Sequence, residues 1–195
     1  MLGDMRKLIL ITGMPGSGKS IVSSYFKSRG YTVYSMGDIV RNIAEERGVE
    51  KTLENLLSIA QEIRNKYGPS GVAKLMIPIL EKEKSETVVI DGVRSINEIG
   101  EFKKVSKCIN IIAVYSPPYM RFERLLYRGR PGDPRSFEEL IERDLKELSF
   151  GIGNVISLSD FMIINDESPS KVIDYLKSKE DEICNCKKES VWKYL

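Results

Sequence analysis

Short apolar runs alternate with longer amphipathic stretches along this chain. Five runs, Lys7 to Thr12, Tyr31 to Tyr34, Thr87 to Asp91, Cys108 to Tyr115 and Phe161 to Ile164, are four to eight residues long and rich in Val, Ile and aromatic residues. Runs of this length, bounded by Gly, Pro, Ser or Asp, read as strands buried on both faces. Between them, apolar residues recur at helical spacing: Ile21, Val22, Tyr25 and Phe26, then Ile39, Val40 and Ile43, then Leu53, Leu56, Leu57, Ala60 and Ile63, then Val72, Leu75, Met76, Ile79 and Leu80. Each set shares one helix face and reads as core. Strands alternating with helices predict an α/β fold, a five-stranded parallel sheet with helices on both faces, in a single domain over residues 1–195.

The punctuation agrees with this division. Gly30 closes the first helix, and Gly68-Pro69-Ser70-Gly71 separates two others. Ser95 to Lys104 is expected to be helical, and Ser116 is an N-cap candidate followed by Pro117 at the first helical position. The next helix ends at Gly129, and Arg130-Pro131-Gly132-Asp133-Pro134-Arg135 is expected to be a mobile loop. Ser136 and Glu139 form a capping box, Gly151-Ile152-Gly153 interrupts the helical pattern, and Ser168-Pro169 opens the last helix.

The first strand runs into Gly13-Met14-Pro15-Gly16-Ser17-Gly18-Lys19-Ser20, which satisfies G-x-x-x-x-G-K-[ST] between a strand and a helix. Backbone N–H groups can surround a polyphosphate only where side chains stay clear, hence the recurring glycines. The following helix N-terminus adds donors and a positive dipole end. Lys19 supplies a point charge for the β- and γ-phosphates of ATP, and the Ser20 hydroxyl is a hard oxygen ligand for Mg²⁺.

Composition narrows the chemistry. The 195 residues carry a net charge of +2, with 42% apolar and 30% charged residues and no histidine. Histidine-based acid–base catalysis and most zinc sites are thereby excluded, while phosphoryl transfer, which rests on positioning and charge stabilisation, is not. Nothing in the charge balance calls for nucleic acid, no apolar run is long enough to span a bilayer, and no signal peptide is evident, so the cytoplasm is the expected compartment. Three cysteines, Cys108, Cys184 and Cys186, do not suggest a disulfide framework, and Cys184 and Cys186 read as ordinary cysteines. The apolar end of the chain, Val191 to Leu195, is expected to dock on the body or on a second subunit, making a homodimer through the C-terminal tail one expectation.

Other candidates lie at the carboxyl ends of the strands, where ligands bind in parallel sheets. Asp91 ends the third strand and can hold Mg²⁺ beside Ser20 if that strand neighbours the first. Arg121, Arg124 and Arg128 share a helix face, with Arg130, Arg135 and Arg143 close behind, a concentration suited to a transferring phosphoryl group. Arg41 and Arg94 follow strands two and three and suggest a second anion. A hydrolase needs one phosphate site, whereas a kinase acting on a phosphorylated acceptor needs two.

With these residues in hand, the chain resembles the P-loop nucleoside monophosphate kinase superfamily. Ser35-Met36-Gly37-Asp38-Ile39-Val40-Arg41 resembles the adenylate kinase segment that holds the acceptor nucleotide, and Asp91-Gly92-Val93-Arg94 resembles its D-G-F-P-R segment, one residue shorter. Arg124-x-x-x-Arg128-Gly129-Arg130 resembles the start of a short lid, and Arg143 stands where a lid-closing helix places an arginine. Dephospho-CoA kinases are also similar, and Phe150-Gly151-Ile152-Gly153 adds a likeness to an archaeal family of kinase-like P-loop proteins. The resemblance implies a three-layer P-loop NTPase fold with strand order 2-3-1-4-5, an acceptor-binding helical region over residues 36–86 and a lid over residues 129–136. It implies catalytic roles for Lys19, Asp91, Arg124, Arg128 and Arg143, ATP contacts from Arg130, and acceptor contacts from Asp38, Arg41, Arg94 and Glu98. Met36 replaces the threonine that touches the acceptor base in adenylate kinases, and Glu98 stands near their base-reading glutamine. Glu98 has two open roles, reading a guanine edge or completing a capping box with Ser95. Three activities fit: a kinase for a phosphorylated small molecule, an ATP-hydrolysing switch working through a partner, and a kinase for a hydroxyl acceptor with Asp38 as base.

Overall fold

The computed structural model describes residues 6–187 and 190–194. Its sheet contains β1 (Lys7–Thr12), β2 (Thr32–Ser35), β3 (Thr87–Asp91), β4 (Cys108–Tyr115) and β5 (Phe161–Ile164). They lie in the order β2-β3-β1-β4-β5, all parallel, which is the order the resemblance implies. β1 is central, so both its faces are buried. Leu8 and Leu10 join one core and Ile9 and Ile11 the other, as period-2 alternation requires.

The helices divide between these two cores. Facing Leu8 and Leu10 are α2 (Met36–Glu46), α3 (Leu53–Tyr67), α4 (Gly71–Lys82), α5 (Ile96–Phe102) and α8 (Ile152–Ser157). Facing Ile9 and Ile11 are α1 (Lys19–Ser28) and α9 (Pro169–Cys184). The remaining pair, α6 (Pro118–Arg128) and α7 (Phe137–Ser149), flanks the loop expected to be the lid. Among the described residues no helix is long and apolar enough to cross a membrane.

Four local expectations are corrected. β2 starts at Thr32, because the Tyr31 ring turns edge-on to Phe26, 5.4 Å between centroids, and its hydroxyl meets Cys184 Sγ at 3.1 Å. α6 opens at Pro118 with Pro117 as its cap residue; Ser116 Oγ accepts instead from Arg124 Nη1 at 2.9 Å. Residues 152–157 form α8, since Gly151 (φ 97°) merely turns the chain and Ile152 and Val155 are buried one turn apart. Finally, Cys186 is not an ordinary thiol. It is bonded to Cys108 with Cα atoms 5.3 Å apart, leaving Cys184 free. The start of β4 lies beside the end of α9, where Asn110 Nδ2 donates to the carbonyls of Ile183 and Asn185 at 2.7 and 2.6 Å.

Beyond that crosslink the tail docks on its own domain. Trp192 is buried in the core on the α2–α5 side, and Ser190 Oγ donates to Asp160 Oδ1 at 2.8 Å. Lys188, Glu189 and Leu195 lie outside the described residues.

Candidate functional site

The loop Gly13 to Gly18 folds as the glycines require. Gly13 (φ 144°) and Gly18 (φ 99°) hold conformations that side chains resist, and a Cβ on either would collide, with the Val114 carbonyl and with Asn165 Nδ2 respectively. Lys19 begins α1 and bends back over the loop, donating to the Gly13 and Met14 carbonyls at 2.6 and 3.2 Å. Burial lowers its pKa to about 8, opposed by the Asp91 charge. An ammonium so weakly solvated is ready to exchange carbonyl partners for phosphate oxygens.

Parallel pairing aligns Ile11 with Asp91, which sets the Asp91 carboxylate beside α1. Asp91 Oδ2 accepts from Ser23 Oγ at 2.9 Å, while Oδ1 is buried and has no partner. The Ser20 hydroxyl lines the same cleft. A buried, unpartnered carboxylate oxygen near a second hard oxygen donor fits Mg²⁺, and these two residues are the ones that would hold it.

The cleft has a volume of about 600 Å³, and besides Lys19, Ser20 and Asp91 it is lined by Arg41, Arg94, Arg124, Arg128, Arg130 and Arg143. Six of the eight candidate arginines therefore meet around one space, while Arg135 lies in the groove beside α3. Arg124 is held by Ser116 Oγ and by the Asn165 carbonyl at 3.0 Å. Arg128 Nε donates to Asp133 Oδ2 at 2.8 Å, and Arg143 Nη1 to Asp133 Oδ1 at 3.3 Å, so one loop carboxylate grips both. Burial pushes the Asp133 carboxyl up, but Arg128, the Arg130 amide and Arg143 outweigh it and hold the group below its ordinary range. Arg41 pairs with Asp38, which sits exposed one turn earlier. Arg94 Nε approaches Glu147 Oε2 at 3.0 Å.

Two expectations change here. Arg121 shares a helix with Arg124 and Arg128 but does not face the cleft; it is buried against Asp144, Nη1 to Oδ1 2.9 Å, and Nη1 also donates to the Pro15 carbonyl at 3.1 Å. It braces the loop from behind. Glu98 does not line the cleft. It is buried, with Oε2 accepting from the Arg94 amide at 2.7 Å and its other oxygen 3.7 Å from Arg64, while Ser95 Oγ accepts from the Glu98 amide at 3.2 Å. Burial raises its pKa against the pull of these donors. Capping, not base reading, describes its contacts.

Sequence reasoning missed Asn165, Ser23 and Glu147. Asn165 Nδ2 donates to the Ser17 carbonyl at 2.8 Å, leaving Oδ1 buried and unpartnered. It follows β5 directly, so the rule that singled out Asp91 would have found it. Glu147 lies on the buried side of α7, three residues after Asp144, and both carboxylates point inward.

The comparisons with known proteins fit this geometry. Residues 12–141 match the sequence model of a family described as an AAA domain. A UPF0200 protein of Hyperthermus butylicus is 48% identical over 168 residues, covering 86% of this chain and 90% of that protein. The chain belongs to the UPF0200 family. A UPF0200 protein of Pyrococcus abyssi is 49% identical over 84% of this chain and 90% of its own. Among solved structures, a Thermus thermophilus protein superposes with TM-score 0.65 at 19% identity, covering 92% of this chain and 99% of that one. Shikimate kinase from Bacteroides thetaiotaomicron superposes with TM-score 0.55 at 14% identity over 91% and 98% of the two chains. This UPF0200 protein thus has a P-loop kinase-like fold.

Proposed function

We propose that this protein transfers the γ-phosphoryl group of ATP to a small phosphorylated acceptor such as a nucleoside monophosphate, in the cytoplasm. One observation carries the reading: a phosphate loop and a second arginine pair, Arg41 and Arg94, line one cleft. A cleft for hydrolysis alone has no use for the second pair.

In this reading the loop amides and Lys19 grip the β- and γ-phosphates, and Arg130 adds an ATP contact. Arg41 and Arg94 hold the acceptor phosphate in line. An acceptor oxygen attacks the γ-phosphorus, the bond to the β–γ bridging oxygen breaks, and ADP leaves with that oxygen. Arg124, Arg128 and Arg143 face the charge that spreads over the transferring group. Mg²⁺ held by Ser20 and Asp91 would supply charge neutralisation between the phosphates. A phosphate acceptor is already ionised at neutral pH, so no general base is needed, in keeping with a chain that has no histidine.

The pairing of Arg41 with Asp38 and of Arg94 with Glu147, with Glu98 withdrawn from the cleft, favours a second reading, an ATP-hydrolysing switch. An assay for ADP release with ATP, Mg²⁺ and a panel of nucleoside monophosphates and dephospho-CoA separates the two. ADP release that depends on one acceptor, with a phosphorylated product, supports the kinase. Slow release indifferent to every acceptor sinks it in favour of the switch. Turnover with dephospho-CoA alone would point to a hydroxyl acceptor and to Asp38 as base.

A further inference from the structure

We propose that the outer faces of α6 and α7 form a two-fold interface between two copies of this chain. On α7, Phe137, Ile141, Leu145 and Leu148 recur at helical spacing yet face solvent, while Leu140, Asp144 and Glu147 fill the buried side. On α6, Tyr119 and Leu126 face outward, away from Arg121, Arg124 and Arg128. Phe122 and Phe137 meet edge to face, 5.7 Å between centroids, so the two helices present one continuous surface. Its far end is anchored where Leu148 covers Gly153 of α8.

The size of this surface bears on its occupant. Its six outward side chains are 40 to 61% exposed. At roughly 70 Å² apiece they offer about 400 Å² of apolar area. A contiguous apolar patch of about this size is the largest that a typical monomer exposes, and such patches are often functional. A standard interface takes about 800 Å² from each partner, about 60% of it apolar, so the patch supplies most of the apolar share of one half. A closed, self-complementary contact needs no second kind of surface. Of the α7 charges, Glu139, Glu142 and Lys146 turn instead towards the groove beside α3, which leaves the outward stripe itself apolar. The C-terminal tail is a weaker candidate, since its Trp192 is already spent on the domain's own core.

The interface also has a position. It lies on the back of the two helices that carry the lid, so a dimer would hold both lid hinges on one four-helix platform while the arginines stay free on the other side. This goes beyond the catalytic reading and does not depend on it.

Sedimentation equilibrium on the full chain tests the proposal. At concentrations on the order of 100 μM, above a micromolar Kd, the wild type should sediment at twice its 22.1 kDa mass. Leu126→Lys combined with Leu145→Lys should return it to the monomer mass with the far-ultraviolet dichroism unchanged, and Tyr194→Lys should leave the dimer intact. A wild type that stays monomeric, or a dimer that survives the double substitution, overturns the proposal. Should the double variant fail to fold, hydrogen exchange on the wild type decides. Amides over residues 137–148 should exchange about tenfold more slowly at high than at low protein concentration, and concentration-independent rates overturn the interface.

Discussion

Proton linkage at Lys19 gives the sharpest test of the candidate site. Burial lowers the free protein's Lys19 to about 8, well below its model-peptide value of 10.5. A bound polyphosphate removes that disadvantage by setting several negative charges against the ammonium, so binding must raise the pKa and take up a proton. In the free protein Lys19 is about 90% protonated at pH 7, about 50% at pH 8 and about 10% at pH 9. ATP binding should therefore take up about 0.1, 0.5 and 0.9 proton at those pH values, and affinity should fall about tenfold between pH 7 and pH 9. The terminal phosphate titrates near pH 6 and contributes little in this window. Titration calorimetry of Mg–ATP in two buffers of different ionisation enthalpy, at each pH, reads the uptake directly. Lys19→Arg keeps a charge that does not titrate there and should abolish the uptake while retaining some affinity. Uptake below about 0.1 proton at pH 8 in the wild type, or equal uptake in Lys19→Arg, would refute the assignment of Lys19 to the phosphates. The sign for stability is separate. The folded pKa is depressed, so charging Lys19 opposes folding, and the free protein should gain stability as pH rises from about 8 towards 10.5.

Three further outcomes are expected. Asp91→Asn should weaken Mg²⁺-dependent nucleotide affinity by about 10- to 100-fold and leave metal-free affinity nearly unchanged, as read by fluorescent-nucleotide titration with and without chelator; equal losses in both would remove Asp91 from the metal. Asp144→Ala leaves Arg121 buried without its partner and should destabilise the fold by about 3–5 kcal/mol in urea melts, whereas a loss under about 1 kcal/mol would mean that Arg121 finds solvent. Cys186→Ser opens a crosslink spanning 78 residues, for which chain entropy gives about 4.5 kcal/mol and a Tm lower by about 10–15 °C; an unchanged Tm, or three reactive thiols in the denatured unreduced wild type, would rule the bond out.

What could be read before the structure follows from where each constraint lives. Strand positions were legible because β1, β3 and β4 are buried on both faces and their apolar runs are unbroken. The phosphate loop was legible because only glycine tolerates the backbone at Gly13 and Gly18. Asp91 and the cleft arginines were legible because parallel sheets gather polar residues at strand carboxyl ends. The rest depends on distances that local patterns do not encode. Arg121 and Arg124 sit one turn apart, and only the packing of α7 decides that the first is buried against Asp144. Glu98 carried two local signals, and burial of α5 against α4 selected the cap. Cys108 and Cys186 are far apart in sequence and meet only because α9 returns to the start of β4. Gly151 and Gly153 hid α8, since its two buried residues are too few to display a period.

The counter-charges around the cleft explain how so many cations coexist there before any ligand arrives. Unpaired guanidinium groups crowded into a half-buried space would repel one another and lose hydration. The chain answers with carboxylates on two kinds of support. Asp144 and Glu147 lie on α7, fixed by its packing on the domain, and their partners Arg121 and Arg94 are correspondingly immobile. Asp133 lies in the short loop between α6 and α7, and its partners are Arg128 and Arg143. A carboxylate presents two oxygens to these arginines, much as a phosphoryl group would present its own. The loop carboxylate is as buried as Glu147, each side chain 5% exposed, and its neighbour Pro134 is buried too, so the loop support is packed on the body like the helical one. The cleft arginines therefore meet fixed counter-ions on both supports: Glu147 holds Arg94, and Asp133 holds Arg128 and Arg143, while Arg121 and Asp144 form their pair behind the phosphate loop.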